Sequence, residues 1–156
     1  MTGEDMMTAD QYSAYRHWLI AFDNLEAYLN RMLGRYGLSM SEYRVLVVLS
    51  EAPNGRLRMS DLANDAHHSP SRSSHTITRM ETRGWVKRLP HANDRRVIYV
   101  SLTPAGADLL TQARPPYQST VKRIFVDAVG IDNIPQLDSL MRRVITATSG
   151  SPSPAE

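Results

Sequence analysis

The stretch SPSRSSHTITRMETRGWVKRLPHANDRRVIYVSLTPAG, residues 69–106, decides the fold. It reads as a helix, a hairpin and the opening of a second helix, and it is rich in arginine. Ser69 is a good N-cap, Pro70 suits the first helical position because no intrahelical bond needs its missing N–H, and Gly84 closes the segment. The result is a helix of about four turns. At 100° per residue, Ser73, Ile77 and Met80 fall on one side with Ser74 at the boundary, while Ser71, Arg72, His75, Arg79 and Thr82 fall on the other. This second face carries no large apolar residue. Short polar side chains near the N-terminus let a helix enter a DNA major groove, where Arg contacts guanine bidentately and Ser reaches several base edges. A solvated surface helix would show the same face, so the helix alone leaves both readings open.

After Gly84, residues 85–89 and 97–102 are β-prone runs, with Ile98, Val100 and Leu102 alternating with Val97, Tyr99 and Ser101. They predict an antiparallel hairpin. Its connection, PHANDRR at 90–96, is polar and turn-rich and carries Arg95 and Arg96 near the tip. Arginines there can enter a narrow minor groove, where the negative potential is enhanced, and Asp94 is close enough in sequence to orient one of them. The plain alternative is a solvated hairpin. Charge segregation separates the two readings. The chain holds 18 Lys+Arg and 16 Asp+Glu, yet residues 56–96 hold nine Lys+Arg against four acids, giving +5 there and −3 elsewhere. A phosphate-binding surface explains that segregation, whereas solubility does not require it. His67, His68, His75 and His91 lie in the same segment and add positive charge below neutral pH.

Asp94-Arg95-Arg96 followed by Val100-Ser101-Leu102-Thr103-Pro104-Ala105-Gly106 resembles the wing and exit signature (DxR, then LTxxG) of MarR-type winged helix-turn-helix transcription regulators. Arg58-Met59-Ser60-Asp61-Leu62-Ala63 is similar to their first helix-turn-helix element. Arg79-Met80-Glu81-Thr82-Arg83-Gly84-Trp85-Val86 is similar to their recognition-helix end. Three motifs in the expected order make the match specific, and it covers most of the chain. The resemblance implies a mainly α fold with a small β-hairpin wing (α+β), a winged helix-turn-helix head between N- and C-terminal helical dimerisation regions. It also implies that Arg96 is the minor-groove residue, Asp94 its orienting partner and Arg95 a phosphate contact. The DNA-binding set is then Ser69, Pro70, Ser71, Arg72, Ser74, His75, Arg79, Asp94, Arg95 and Arg96. A small-molecule effector, phenolic or a similar anion, is expected between dimerisation helices and head. Such a pocket needs an aromatic wall and a cation or donor, and Arg16, His17, Trp18, Tyr36, Tyr43 and Arg44 lie near the junction in sequence. Core packing or surface exposure would explain each of these six equally well.

The flanks point to assembly. Tyr15, Trp18, Phe22, Leu25, Leu29 and Met32 are spaced 3, 4, 3, 4, 3 along a predicted helix from Ala9 to Arg35. Leu109, Ala113, Tyr117, Val121, Ile124 and Ala128 form a second stripe, followed by Ile134, Leu137, Leu140, Met141, Val144 and Ile145. These stripes could all pack within one chain, but two long amphipathic flanks around a small head are better buried against a second copy. A two-fold homodimer would present two recognition helices to double-stranded DNA with pseudo-palindromic half-sites ~10 bp apart. Pro115-Pro116 should kink or interrupt the exit helix. Between flank and head, Ser39-Met40-Ser41-Glu42 is a capping box, Pro53-Asn54-Gly55 ends that helix, and Ser60 is expected to cap the next, from Asp61 to Asp65. The expected organisation is an N-terminal dimerisation helix at 1–38, the head at 39–103, C-terminal dimerisation helices at 104–148 and a disordered tail at 149–156.

With no cysteine, disulfides and thiol-based sensing are excluded. No GxSxG elbow, phosphate-cradling glycine loop or HExxH pair is present, so an enzyme is not expected. His67, His68 and His75 could offer imidazoles to a metal, but the break at Ser69-Pro70 ruins their helical register, and no metal or cofactor is expected. No apolar run approaches the ~20 residues of a membrane span and no secretion signal opens the chain, which places the protein in the cytoplasm by expectation. A nonspecific chromosome-binding protein and a winged-helix module for protein contacts remain the rival readings.

Overall fold

Capping chemistry sets the helix starts in the computed structural model, which describes residues 6–149 except 68, 92, 93, 95 and 96. Thr8 caps α1 (Ala9–Gly34) in a reciprocal box with Gln11, and Ser39 caps α2 (Met40–Glu51) in a box with Glu42. Each box satisfies N–H groups that a first helical turn leaves without partners. A short strand, β1 (Arg56–Arg58), then feeds directly into α3 (Met59–Asp65), which has no side-chain cap. The expectation that Ser60 caps this helix is therefore corrected: Ser60 lies inside it, and its hydroxyl donates to Asp61 Oδ1 at 3.1 Å. Ser69 caps α4 (Pro70–Thr82), its Oγ accepting from the Arg72 N–H at 3.3 Å. Gly84, at φ +74°, supplies the left-handed turn that reverses the chain into β2 (Val86–Pro90).

β2 and β3 (Ile98–Leu102) make the expected hairpin, with Val86 opposite Leu102 and Pro90 opposite Ile98. β1 adds a strand that the sequence did not reveal, pairing Leu57 with Val100, so the sheet is three-stranded and antiparallel in the order β1-β3-β2. Leu46 and Leu49 of α2, Leu62 of α3, Ile77 and Met80 of α4, and Val86 and Val100 of the sheet are buried in one core. Each such side chain contributes about 1.5–3 kcal/mol on burial. Ser73 shares the buried face of α4 as expected, and so does Thr76.

α5 (Pro104–Val121) runs on through Pro115 and Pro116. The expected interruption does not occur there. The carbonyls that the prolines leave without donors belong to Thr111 and Gln112, both exposed residues, so that solvent can take the place of the missing N–H groups. The helix departs from α geometry instead at Lys122–Val126, a π-helical turn. Contacts divide the chain into Met1–Gln118 and Ser119–Glu156. The second unit continues through α6 (Asp127–Val129) and a 3-10 turn to α7 (Ile134–Thr148), which exposes Leu140, Val144 and Ile145. The expected tail beyond Ser149 lies outside the described residues.

In the first unit Tyr43 of α2 packs on Tyr117 of α5 with ring centroids 4.2 Å apart. Burial, and then the neighbouring Tyr117 phenol, push the Tyr43 pKa up to about 12. The folded value exceeds the ordinary value near 10, so the stabilisation is complete below pH ~10 and is lost as pH rises through about 12. Relative to Tyr43→Phe, which carries no phenol, wild type is expected to lose on the order of 2 kcal/mol across that window. Urea midpoints of both proteins at pH 9, 10 and 11 check this, and parallel curves would refute it.

Candidate nucleic-acid interface

α3 and α4 form a helix-turn-helix, and the core fixes which face of α4 it hides. Ser73, Thr76, Ile77 and Met80 point inward, leaving Ser71, Arg72, Ser74, His75, Thr78, Arg79 and Thr82 exposed. The polar face read from the sequence is thus the solvent face. Ser69 and Ser71 sit at its N-terminal tip with their hydroxyl oxygens 3.4 Å apart. The side chain of Pro70 is outside what is described.

The arginines are more constrained than a charge count implies. Arg72 Nη2 donates to Ser41 Oγ at 2.9 Å, and Arg79 Nε stands 3.4 Å from Glu42 Oε1. Glu42 is only 3% exposed and also accepts from the Ser39 N–H at 2.8 Å and the Ser39 hydroxyl at 2.9 Å. One carboxylate therefore caps α2 and pins α4 to it. Arg88 of β2 acts as a strut: its guanidinium donates to Glu81, to Ser74 O at 3.2 Å and to Thr78 Oγ1 at 3.0 Å. The Arg88 N–H, seconded by the guanidinium, holds the Glu81 carboxyl below the usual carboxylate range. Arg83 donates to Gly37 O at 2.7 Å and lies over the Trp85 ring, 4.9 Å from its centroid.

At the wing, the His91 N–H donates to Val97 O and the Val97 N–H to Asp94 O, both at 3.0 Å, and Asp94 is exposed. Arg95 and Arg96, assigned to the tip from the sequence, lie outside the described residues. At the wing base Tyr99 gathers a cluster that sequence reasoning passed over. Its hydroxyl accepts from Arg58 Nε at 3.4 Å, its ring lies 5.7 Å from the Arg56 guanidinium, and His91 stacks on it at 6.0 Å. The cation–π contact and the hydroxyl hold two exposed arginines of β1 beside the wing. Only the pairing of β1 with β3 places them there, and three residues are too few for a periodic signal.

The six effector candidates are not brought together. Arg16 and His17 border a shallow depression on α1 alone, with Tyr12 and Ile20. Trp18 is exposed between Tyr15 and Phe22, Tyr36 is half-buried, Tyr43 is buried against Tyr117, and Arg44 is half-buried on α2. A separate cleft of about 590 Å³ opens between α1, the start of α2 and α4, and none of the six lines it. Arg72, His75 and Arg79 do. Among the described residues no His, Asp and Glu cluster is placed to hold a metal, and no helix is long and apolar enough to cross a membrane.

A helix-turn-helix followed by a two-stranded wing, with cations on the second helix and at the wing base, defines a winged helix-turn-helix head. The model of the MarR family matches residues 38–98. The transcriptional repressor MprA of Escherichia coli is 25% identical over 117 residues, 75% of this chain and 66% of MprA. The Escherichia coli homoprotocatechuate degradative operon repressor is 31% identical over 98 residues, 63% of this chain and 65% of that protein. This chain thus spans slightly less than two thirds of the length of both. FarR, an HTH-type transcriptional regulator of Neisseria gonorrhoeae, is 31% identical over 67% of this chain and 70% of its own. Among solved structures, AbsC of Streptomyces coelicolor superposes with TM-score 0.89 at 34% identity, covering 94% of this chain and 99% of AbsC. Sco3205 of the same organism, solved in complex with DNA, gives TM-score 0.90 at 33% identity over 94% of this chain and 92% of its own. The chain belongs to the MarR family of transcriptional regulators.

Proposed function

We propose that this chain is a sequence-specific, dimeric DNA-binding regulator, a cytoplasmic repressor released by a small-molecule effector. The observation that carries the reading is the groove face of α4, where Ser71, Arg72, Ser74 and His75 stand exposed while Ser73, Ile77 and Met80 seat the helix. The DNA complex of Sco3205 and the repressor names of MprA and the homoprotocatechuate protein support it. The last of these names refers to an operon degrading a phenolic acid, in keeping with a phenolic or similar effector. The exposed aromatic seam of α1 supports a homodimer.

In this reading Arg96 enters the minor groove with Asp94 as its orienter, Arg95 takes a phosphate, and Arg56 and Arg58 extend the phosphate contacts from the wing base. Arg72 leaves Ser41 for a base edge. Exchanging one hydroxyl partner for a bidentate contact to guanine is favourable, because a single hydrogen bond to the cation, about 1.5–3 kcal/mol net, gives way to two.

The test is titration of the protein with duplexes tiling the DNA beside its own gene, at ~150 mM salt against excess random competitor, with its mass measured in parallel. One duplex should keep its dimeric protein under competition. Loss of all binding to the competitor would favour a nonspecific or protein-contact role. On the preferred duplex, Arg72→Ala is expected to cost about 1–3 kcal/mol and to relax preference at one base pair. An unaltered preference removes Arg72 from the base-reading set.

A further inference from the structure

We infer that the cleft between α1, the N-terminus of α2 and α4 binds a small amphoteric molecule, carrying an ammonium group at one end and a carboxylate or phosphate at the other. This is a ligand site separate from that of the phenolic effector proposed above, and it rests on that reading only for its consequence on DNA binding. The cleft, about 590 Å³, falls within the roughly 300–1,000 Å³ of small-molecule sites. Its walls have opposite sign. Asp23 and Glu26, three apart on α1 and so on one helix face, form the acidic wall. Among the described residues neither has a hydrogen-bond or ion-pair partner. Opposite stand Arg72, His75 and Arg79 of α4. The Arg79 charge is met by Glu42, whereas Arg72 is held only by the neutral Ser41 hydroxyl at 2.9 Å.

Two unpaired carboxylates therefore face one uncompensated guanidinium. A purely anionic ligand would meet like charge on α1, and a purely cationic one would meet Arg72, while a molecule with both ends satisfies both walls. Its anion would replace the Ser41 hydroxyl on Arg72. The anion adds the attraction of a full negative charge to the hydrogen bond that the hydroxyl already accepts from the cation, so the ligand keeps Arg72 stowed in the cleft and away from DNA. Operator and ligand compete for one side chain, and each lowers the affinity for the other by the same factor.

The experiment titrates 6-aminohexanoate, hexylamine and hexanoate into the full chain, alone by calorimetry and with its preferred duplex by anisotropy. The 6-aminohexanoate should bind saturably and weaken duplex binding by about tenfold, while the single-ended analogues do neither. The Asp23→Asn/Glu26→Gln double variant should keep its duplex affinity and lose the response. Absence of saturable heat with 6-aminohexanoate, equal binding of either analogue, or an unchanged response in the double variant overturns the site. If no duplex is bound by any protein but the calorimetric binding persists and is abolished by the double variant, the site stands and the regulator reading fails.

Discussion

Replacing Trp18 by Glu is expected to give a folded monomer that binds its preferred duplex about 10²–10⁴-fold more weakly than wild type. Trp18 is 44% exposed and stacks between Tyr15 and Phe22 at 6.1 and 6.2 Å, both exposed too. From Ala9 to Asn24 every residue of α1 is exposed, and burial begins only with the anchors Leu29 and Leu33 near the helix end. A helix segment of that length is marginal in water by itself, so an aromatic seam along it calls for a covering surface. In the proposed homodimer a second α1 across a two-fold axis would supply one, with Trp18 in the middle of the aromatic seam. A carboxylate at that point would have to be desolvated in an apolar seam without a partner, which opposes association. The head core around Leu46, Leu62 and Ile77 is distant in the chain from this change and stays intact.

The loss in affinity follows from linkage. Once one head of a dimer is bound, the second binds at an effective concentration in the millimolar range, an advantage that a monomer lacks. Light scattering at the assay concentration gives the mass. Duplexes with one and two half-sites give the linkage, and the variant should bind both alike while wild type prefers two. A Trp18→Glu protein that stays dimeric and keeps that preference places the interface elsewhere.

Local rules made much of the fold legible. Ser69, Pro70 and Gly84 bounded α4, Ser39 and Glu42 opened α2, and periodicity alone put Ser73, Ile77 and Met80 inside. What escaped depends on contacts far apart in sequence. The +5 segment treats its cations as equals, yet Arg88 is a strut to Glu81 and Arg83 is tied to Gly37. Arg72 reaches Ser41, and Arg79 reaches Glu42, across the packing of α4 on α2. No spacing rule along a helix anticipates such pairs. The prolines at 115 and 116 show the converse, a local rule overridden where the orphaned carbonyls belong to exposed residues. Proximity in sequence also does not gather the effector set in one place, since Arg16 and His17 border α1 alone while Tyr43 turns into the packing against α5.

Gly106→Ala is expected to destabilise the head by about 2–4 kcal/mol and to weaken operator binding with it. A Cβ at Gly106 would overlap the Trp85 carbonyl oxygen and stand 3.0 Å from Leu102 Cδ1. That carbonyl has little room to retreat. It accepts from the Thr103 N–H at 3.1 Å and the Thr103 hydroxyl at 2.9 Å, and the same hydroxyl oxygen accepts from the Gly106 N–H at 3.1 Å and lies 2.7 Å from Gly84 O. Thr103 and Gly106 thus lock the start of α5 onto the turn that leads from α4 into the wing. Relief of the clash must separate α5 from that turn and move the wing relative to α4, the two elements that touch DNA in the proposed mode. Gly84→Ala provides the contrast, because its Cβ would meet nothing within 4 Å and its φ of +74° brings only backbone strain, about 1–2 kcal/mol. Urea midpoints should therefore rank wild type above Gly84→Ala and Gly84→Ala above Gly106→Ala. The reverse order would mean that the close approach at Gly106 yields easily and that the lock on the wing is set by the Gly84 turn instead.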